Sequence, residues 1–197
     1  MTSSPTAGGI LGLSALGTPS PPKPDQPYFA ALGTFITSYA GAEHQVHLLA
    51  RHLTRLNDAK ARIVFSGMRL SDLSERIRGL LRVTRAKTER LNEVDTCLKQ
   101  LDLIATQRNN LVHRFVMFTG EAIELTNIVT AKSIENPETQ TFSMADFENM
   151  ESDCVAITLR LRVLCGGQVK NPQIRKWMRE PWRYKPPQPA GKRKLHP

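Results

Sequence analysis

Residues 105–116 read ATQRNNLVHRFV, and two different patterns of apolar residues meet there. Before it, apolar residues recur at steps of three and four, the pattern of a helix with one buried side. After it come β-branched and aromatic residues without that step, the pattern of strands. The stretch therefore ends a long helix and opens a β segment, with Arg108, Asn109 and His113 at the switch.

Upstream, Leu91, Val94, Leu98, Leu101, Ala105, Arg108, Val112 and Phe115 alternate in steps of three and four, which predicts a helix over about 87–113. Phe29, Leu32, Ile36, Tyr39, Glu43, Val46, Ala50 and Leu53 follow the same rule and predict another through about 28–56. Two shorter helices lie between. Asn57-Asp58 supplies a break and an N-cap for one, roughly 58–66, which Ser66-Gly67 ends. Ser71 is expected to cap the other, where Leu73, Ile77, Leu80 and Leu81 share a side. Downstream, RFVMFTGEAIELTNIV and TQTFS predict a β-hairpin or small meander over roughly 114–142. Ser143 with Asp146 opens a final helix bearing Phe147, Met150, Cys154, Ile157, Leu161 and Leu164, and Gly166-Gly167 stops it. The expected fold class is mainly α: a helical bundle with a small β insertion before the last helix.

The ends differ from this body. Of thirteen prolines only Pro137 lies between residues 28 and 171, and proline suits neither helix interiors nor central strands. Residues 1–27 read as a disordered Pro/Gly/Ser-rich leader. They do not read as a signal peptide, because no basic residue precedes their short, interrupted apolar part. Residues 28–167 form the expected helical domain. Residues 168–197 form a basic, aromatic, Pro-rich tail: from 170 onward nine Lys and Arg face Glu180 alone, a net +8, so the overall +9 belongs almost wholly to the tail. No apolar run approaches the roughly 18 residues of a membrane span. Cys97, Cys154 and Cys165 have no close pairing in sequence and read as reduced thiols of a cytoplasmic protein.

Glu43 and Arg108 each interrupt an apolar stripe, and an unpaired buried charge is costly. The two are expected to meet in the core, either as a structural ion pair or as the floor of an active site in which Glu43 orients Arg108. His113 lies five residues beyond Arg108, about 140° around an ideal helix, so one straight helix does not aim both at one point. Asn109 is four before His113 and shares its side. His113 also fits an ordinary helix-end histidine beside the last carbonyls. His44, His47 and His52 lie off the main stripe and read chiefly as a solvated polar face, with no metal-ligand set evident.

RNNLVH resembles the R-x4–6-H motif of the HEPN superfamily, including the polar residue after the Arg. YFAALGTFITSYAGAEHQVHLL is similar to the first long helix of small bacterial HEPN-like proteins, with an acid in its middle. The resemblance spans roughly 28–165, and the β insertion departs from a plain HEPN bundle. It implies a metal-independent endoribonuclease, often a toxin or defence effector paired with an antitoxin, working as a homodimer with two motifs at the interface. It implies catalytic roles for Arg108, His113, Asn109 and Glu43, with no cofactor. Other members are non-catalytic interaction or RNA-binding modules. The chemistry suits these residues: a histidine titrating near neutrality moves protons, and an arginine fork holds phosphate oxygens as charge grows on them.

The tail sequence QIRKWMREPWRYKPPQPAGKRK interleaves Arg175, Lys176, Arg179, Arg183 and Lys185 with Trp177, Trp182 and Tyr184. Such interleaving suits single-stranded RNA, by stacking and phosphate contact, or an acidic protein groove. The aromatics equally suit packing back onto the bundle.

Overall fold

The computed structural model describes residues 26–119, 122–127 and 139–186. The chain is mainly helical. α1 (Gln26–Thr54), α2 (Asp58–Phe65), α3 (Leu70–Val83) and α4 (Thr88–His113) precede an antiparallel meander of β1 (Phe115–Thr119), β2 (Ala122–Thr126) and β3 (Thr139–Phe142). α5 (Met144–Leu164) and a short α6 (Pro172–Trp177) follow. Among the described residues no helix is long and apolar enough to cross a membrane.

The bundle is built on α1, which packs along α5 and, on another side, against α3; α4 closes the groove against α3 and α5. α1 and α5 run in the same direction. The Tyr28 ring meets the Phe147 ring edge-on at one end, and Gln45 reaches Cys165 at the other. The meander caps the end where α1 and α5 begin and α4 stops. Its register pairs Phe118 with Ile123 and Ile123 with Phe142, so these three share the inner face. Phe118 lies edge-on to Tyr28, and Phe142 lies against Phe147. Period-two alternation thus sends one sheet face into an aromatic plug over the bundle end.

Local chemistry sets the boundaries. The Asn57 side chain caps α2 by accepting from the Lys60 N–H. Ser143 and Asp146 form a reciprocal capping box at α5. α5 ends in a Schellman turn: the Gly166 N–H donates to Val163 O and the Gly167 N–H to Arg162 O. Gly166 sits at φ +88°, and a Cβ on Gly167 would come within 2.8 Å of Arg162 O, so the two glycines do different work.

Three expectations need correction. Ser71 does not cap α3: the helix begins at Leu70 after Arg69, and the Ser71 hydroxyl donates to the Asp72 carboxylate. The buried sides of α1 and α4 are broader than the expected stripes. Tyr39, Val46 and Ala50 of α1 and Val94, Leu98 and Leu101 of α4 are buried as expected, but α1 also buries Tyr28, Phe35, Ala42 and Leu49 while Phe29 is exposed, and α4 also buries Cys97, Ile104, Gln107 and Leu111 while Val112 is exposed; Phe115, exposed too, belongs to β1. Each helix packs on more than one neighbour, so it buries a side wider than a single stripe. Finally, α1 begins at Gln26, inside the stretch assigned to a leader, with Pro27 in its first turn, where a missing N–H costs nothing. The rest of that stretch lies outside the described residues, as do residues 128–138 of the β insertion.

Candidate functional site

Arg108 lies on the flank of α4 next to its buried side and reaches toward α1. Its guanidinium stands 5.7 Å from the centre of the Tyr39 ring. The Tyr39 hydroxyl donates to Glu43 Oε1 at 3.1 Å, one turn further along α1. Glu43 and Arg108 therefore share Tyr39; the direct ion pair between them is not formed. Both charged residues are only half-buried, and each meets Tyr39 instead. Burial first, and the Glu43 carboxylate second, push the Tyr39 hydroxyl above the ordinary phenol range, so it stays a donor. Arg108 Nη1 donates to Asn109 Oδ1 at 3.1 Å, while its buried Nε finds no acceptor among the described residues.

His113 is the last residue of α4 and is exposed, as is Asn109. The helix runs unbroken to His113, so the separation in direction from Arg108 expected of a straight helix persists. One chain gathers Arg108, Asn109, Tyr39 and Glu43 and leaves His113 outside the group. Beside this group an amide cluster pins the end of α4 to the sheet. Gln140 Nε2 donates to Gln107 Oε1 at 2.8 Å, and Asn110 Nδ2 donates to Gln140 Oε1 at 3.2 Å.

The C-terminal segment is built into the molecule through Tyr184. After α6 it returns along α5 toward that helix's first turns. Buried Asp153 accepts the Arg183 and Tyr184 N–H groups, each at 3.0 Å, and the Gln100 side-chain amide at 2.8 Å; that amide also donates to Tyr184 O. Arg160, only 10% exposed in its side chain, donates to Met178 O and Glu180 O and lies 4.2 Å from the Trp182 ring centre. Tyr184 is 1% exposed. Of the expected RNA- or partner-binding residues, Tyr184 is thus committed to the core and Trp182 to Arg160. Trp177 is half-buried, and Arg175, Lys176, Arg179, Arg183 and Lys185 are exposed. Arg183 pairs with Glu180 at 3.2 Å.

His44 and His47 line a cleft of about 410 Å³ between α1 and α2 with Arg51 and Arg62; Arg51 pairs with Asp58. Among the described residues no group of three His, Cys, Asp or Glu is placed to hold a metal ion. Burial pushes the Cys97 and Cys154 thiols up to about 12, which makes them poor nucleophiles.

Sequence reasoning missed Tyr39 as a bridge and missed Gln100, Asp153 and Arg160 as anchors. Tyr39 was visible only as a stripe member. The other three stand next to core positions with no distinguishing spacing. No family model matches the chain, and it matches no curated protein and no solved structure.

Proposed function

We propose that this protein is a HEPN-type endoribonuclease that acts as a homodimer in the cytoplasm and cuts RNA without a metal ion. The observation behind this reading is the Arg108 guanidinium, held against Tyr39 on α1 about one and a half turns before an exposed His113. A half-buried arginine with a preset direction suits a phosphate whose charge grows during reaction. An exposed histidine at a helix end suits proton transfer. The substrate's 2′-oxygen attacks the adjacent phosphorus, the 5′-oxygen leaves, and the strand ends are a 2′,3′-cyclic phosphate and a 5′-hydroxyl. His113 moves the protons, Arg108 steadies the phosphorane, Asn109 holds Arg108, and Glu43 acts through Tyr39 as a positioning residue. Two subunits complete the site, because Arg108 and His113 of one straight helix diverge. An unchecked ribonuclease harms its cell, so the reading includes an antitoxin or other protein partner.

A second reading has its own support. Arg175, Lys176, Arg179 and Lys185 are exposed on a segment fixed to the bundle, which suits a non-catalytic dimeric module binding RNA or an acidic protein.

Incubation of RNA with the protein in excess EDTA separates the two. The first reading expects cyclic-phosphate ends and a loss of about a hundredfold or more for His113→Ala, with an unchanged circular dichroism melt. Wild-type protein inert toward diverse RNAs favours the second reading. Cleavage that persists in His113→Ala removes the motif from the chemistry.

A further inference from the structure

A second concave site lies at the other end of the bundle, where α5 ends and the C-terminal segment turns back. It measures about 680 Å³, within the range of pockets that hold nucleotide-sized ligands. Its apolar lining comes from Val163, Leu164, Val169 and Met178. Its cations are Arg160, Lys170, Arg175 and Arg179, against Glu93 as the lone acid. Arg160 is already committed to holding the segment. Lys170, Arg175 and Arg179 are exposed and make no ion pair among the described residues. Glu93 pairs with Arg160 at 3.8 Å, so three cations stand beside an apolar wall without a carboxylate of their own, an arrangement that a bare anion satisfies only in part.

We infer that this cleft binds a nucleoside 5′-phosphate, free or at the 5′ end of an RNA strand. The base lies on the apolar wall, where its burial contributes affinity. The phosphate sits among Lys170, Arg175 and Arg179, whose guanidinium forks match its oxygens. Gln168, lining the cleft, offers an amide to the edge of the base. Fifteen residues of α4 separate Glu93 from Arg108, about 22 Å at helical rise, so this site is distinct from the Arg108–His113 group. The inference does not rest on cleavage.

The chain's two tryptophans, Trp177 and Trp182, both lie on the segment that closes the cleft, so intrinsic fluorescence reports its occupancy. The full chain is titrated with AMP, adenosine, inorganic phosphate, and RNA tetramers bearing either a 5′-phosphate or a 5′-hydroxyl. Saturable binding of AMP or the phosphorylated tetramer, about tenfold tighter than phosphate, adenosine or the hydroxyl tetramer, is expected. AMP alone assigns a free nucleotide; a clear preference for the phosphorylated tetramer assigns a strand end. Arg175→Ala with Arg179→Ala, and separately Lys170→Ala, should each weaken binding about tenfold with the thermal melt unchanged, since all three side chains are exposed. Failure of AMP and the phosphorylated tetramer to bind at millimolar concentration overturns the proposal. So does equal affinity for inorganic phosphate, and so do variants that bind like wild type.

Discussion

Tyr39 acts as a neutral donor to Glu43 on one side and as a ring surface for Arg108 on the other. Tyr39→Phe keeps the ring and removes one hydrogen bond, so a loss of about 1 kcal/mol in urea denaturation is expected. Glu43→Ala should cost a similar amount, about 1 kcal/mol, because it strands no buried charge: Arg108 keeps the ring and Asn109. A loss of about 4 kcal/mol for Glu43→Ala would instead indicate that the two charges depend directly on each other. His47 supplies a pH dependence. Burial holds its imidazole below the ordinary histidine value; Glu43 opposes this and His44 adds to it. The folded chain thus takes up that proton less readily than the unfolded one. The stability this group contributes is complete above about pH 6.5 and is lost as pH falls through the folded value. His47→Gln should shrink the drop in melting temperature between about pH 7 and pH 5. An unchanged drop would mean that His47 titrates alike in both states.

Among the elements, the segment after α5 depends most on a single side chain. Asp153 holds two backbone N–H groups and the Gln100 amide at once. Burial pushes its carboxyl above the usual carboxylate range, and the donated hydrogen bonds pull it back. Asp153→Ala takes the acceptor from the buried Tyr184 N–H and the part-buried Arg183 N–H and leaves the Gln100 amide only Tyr184 O, so a loss of about 3 kcal/mol is expected. Tryptophan emission should shift red and proteolysis near residues 178–184 should quicken. A variant with wild-type emission and protease resistance would show that Arg160 alone anchors the segment. The sequence discloses some of these elements and hides others for definite reasons. The caps at Asn57 and Ser143 and the stop at Gly166-Gly167 were legible because each is a local exchange between neighbours in the chain. α6 was not: its six residues are too few to show a period, although Pro172 stands where a helix tolerates it. The Asp153 anchor was not either, because it joins residues up to 84 apart in sequence. Nor could stripe spacing show that α4 buries a side broader than one stripe, or that Val112 faces outward.

For the whole molecule, the central question is whether Arg108 and His113 ever meet. Their divergence on a straight helix was legible from spacing alone, whereas the Tyr39 bridge needed α1 in place. The surroundings of His113 favour a second copy. Val112, Phe115 and Met117 are exposed beside it, and β1 is an edge strand of the sheet that carries no charge and no proline. Such an edge, unpaired among the described residues, is open to pairing with another chain. In the symmetric dimer proposed above, each composite site would take Arg108 from one subunit and His113 from the other. Arg108→Ala and His113→Ala are then each inactive alone, but a heterodimer of the two keeps one intact site and one doubly damaged site. Random exchange makes half of the dimers mixed, so the mixture should regain about a quarter of wild-type cleavage. If both residues of a site came from one subunit, mixing would restore nothing. If sedimentation showed monomers throughout, any cleavage would have to come from a rearranged α4 end. The mixing experiment therefore reads the geometry of the site directly, through a gain of activity that destabilisation by either substitution cannot mimic.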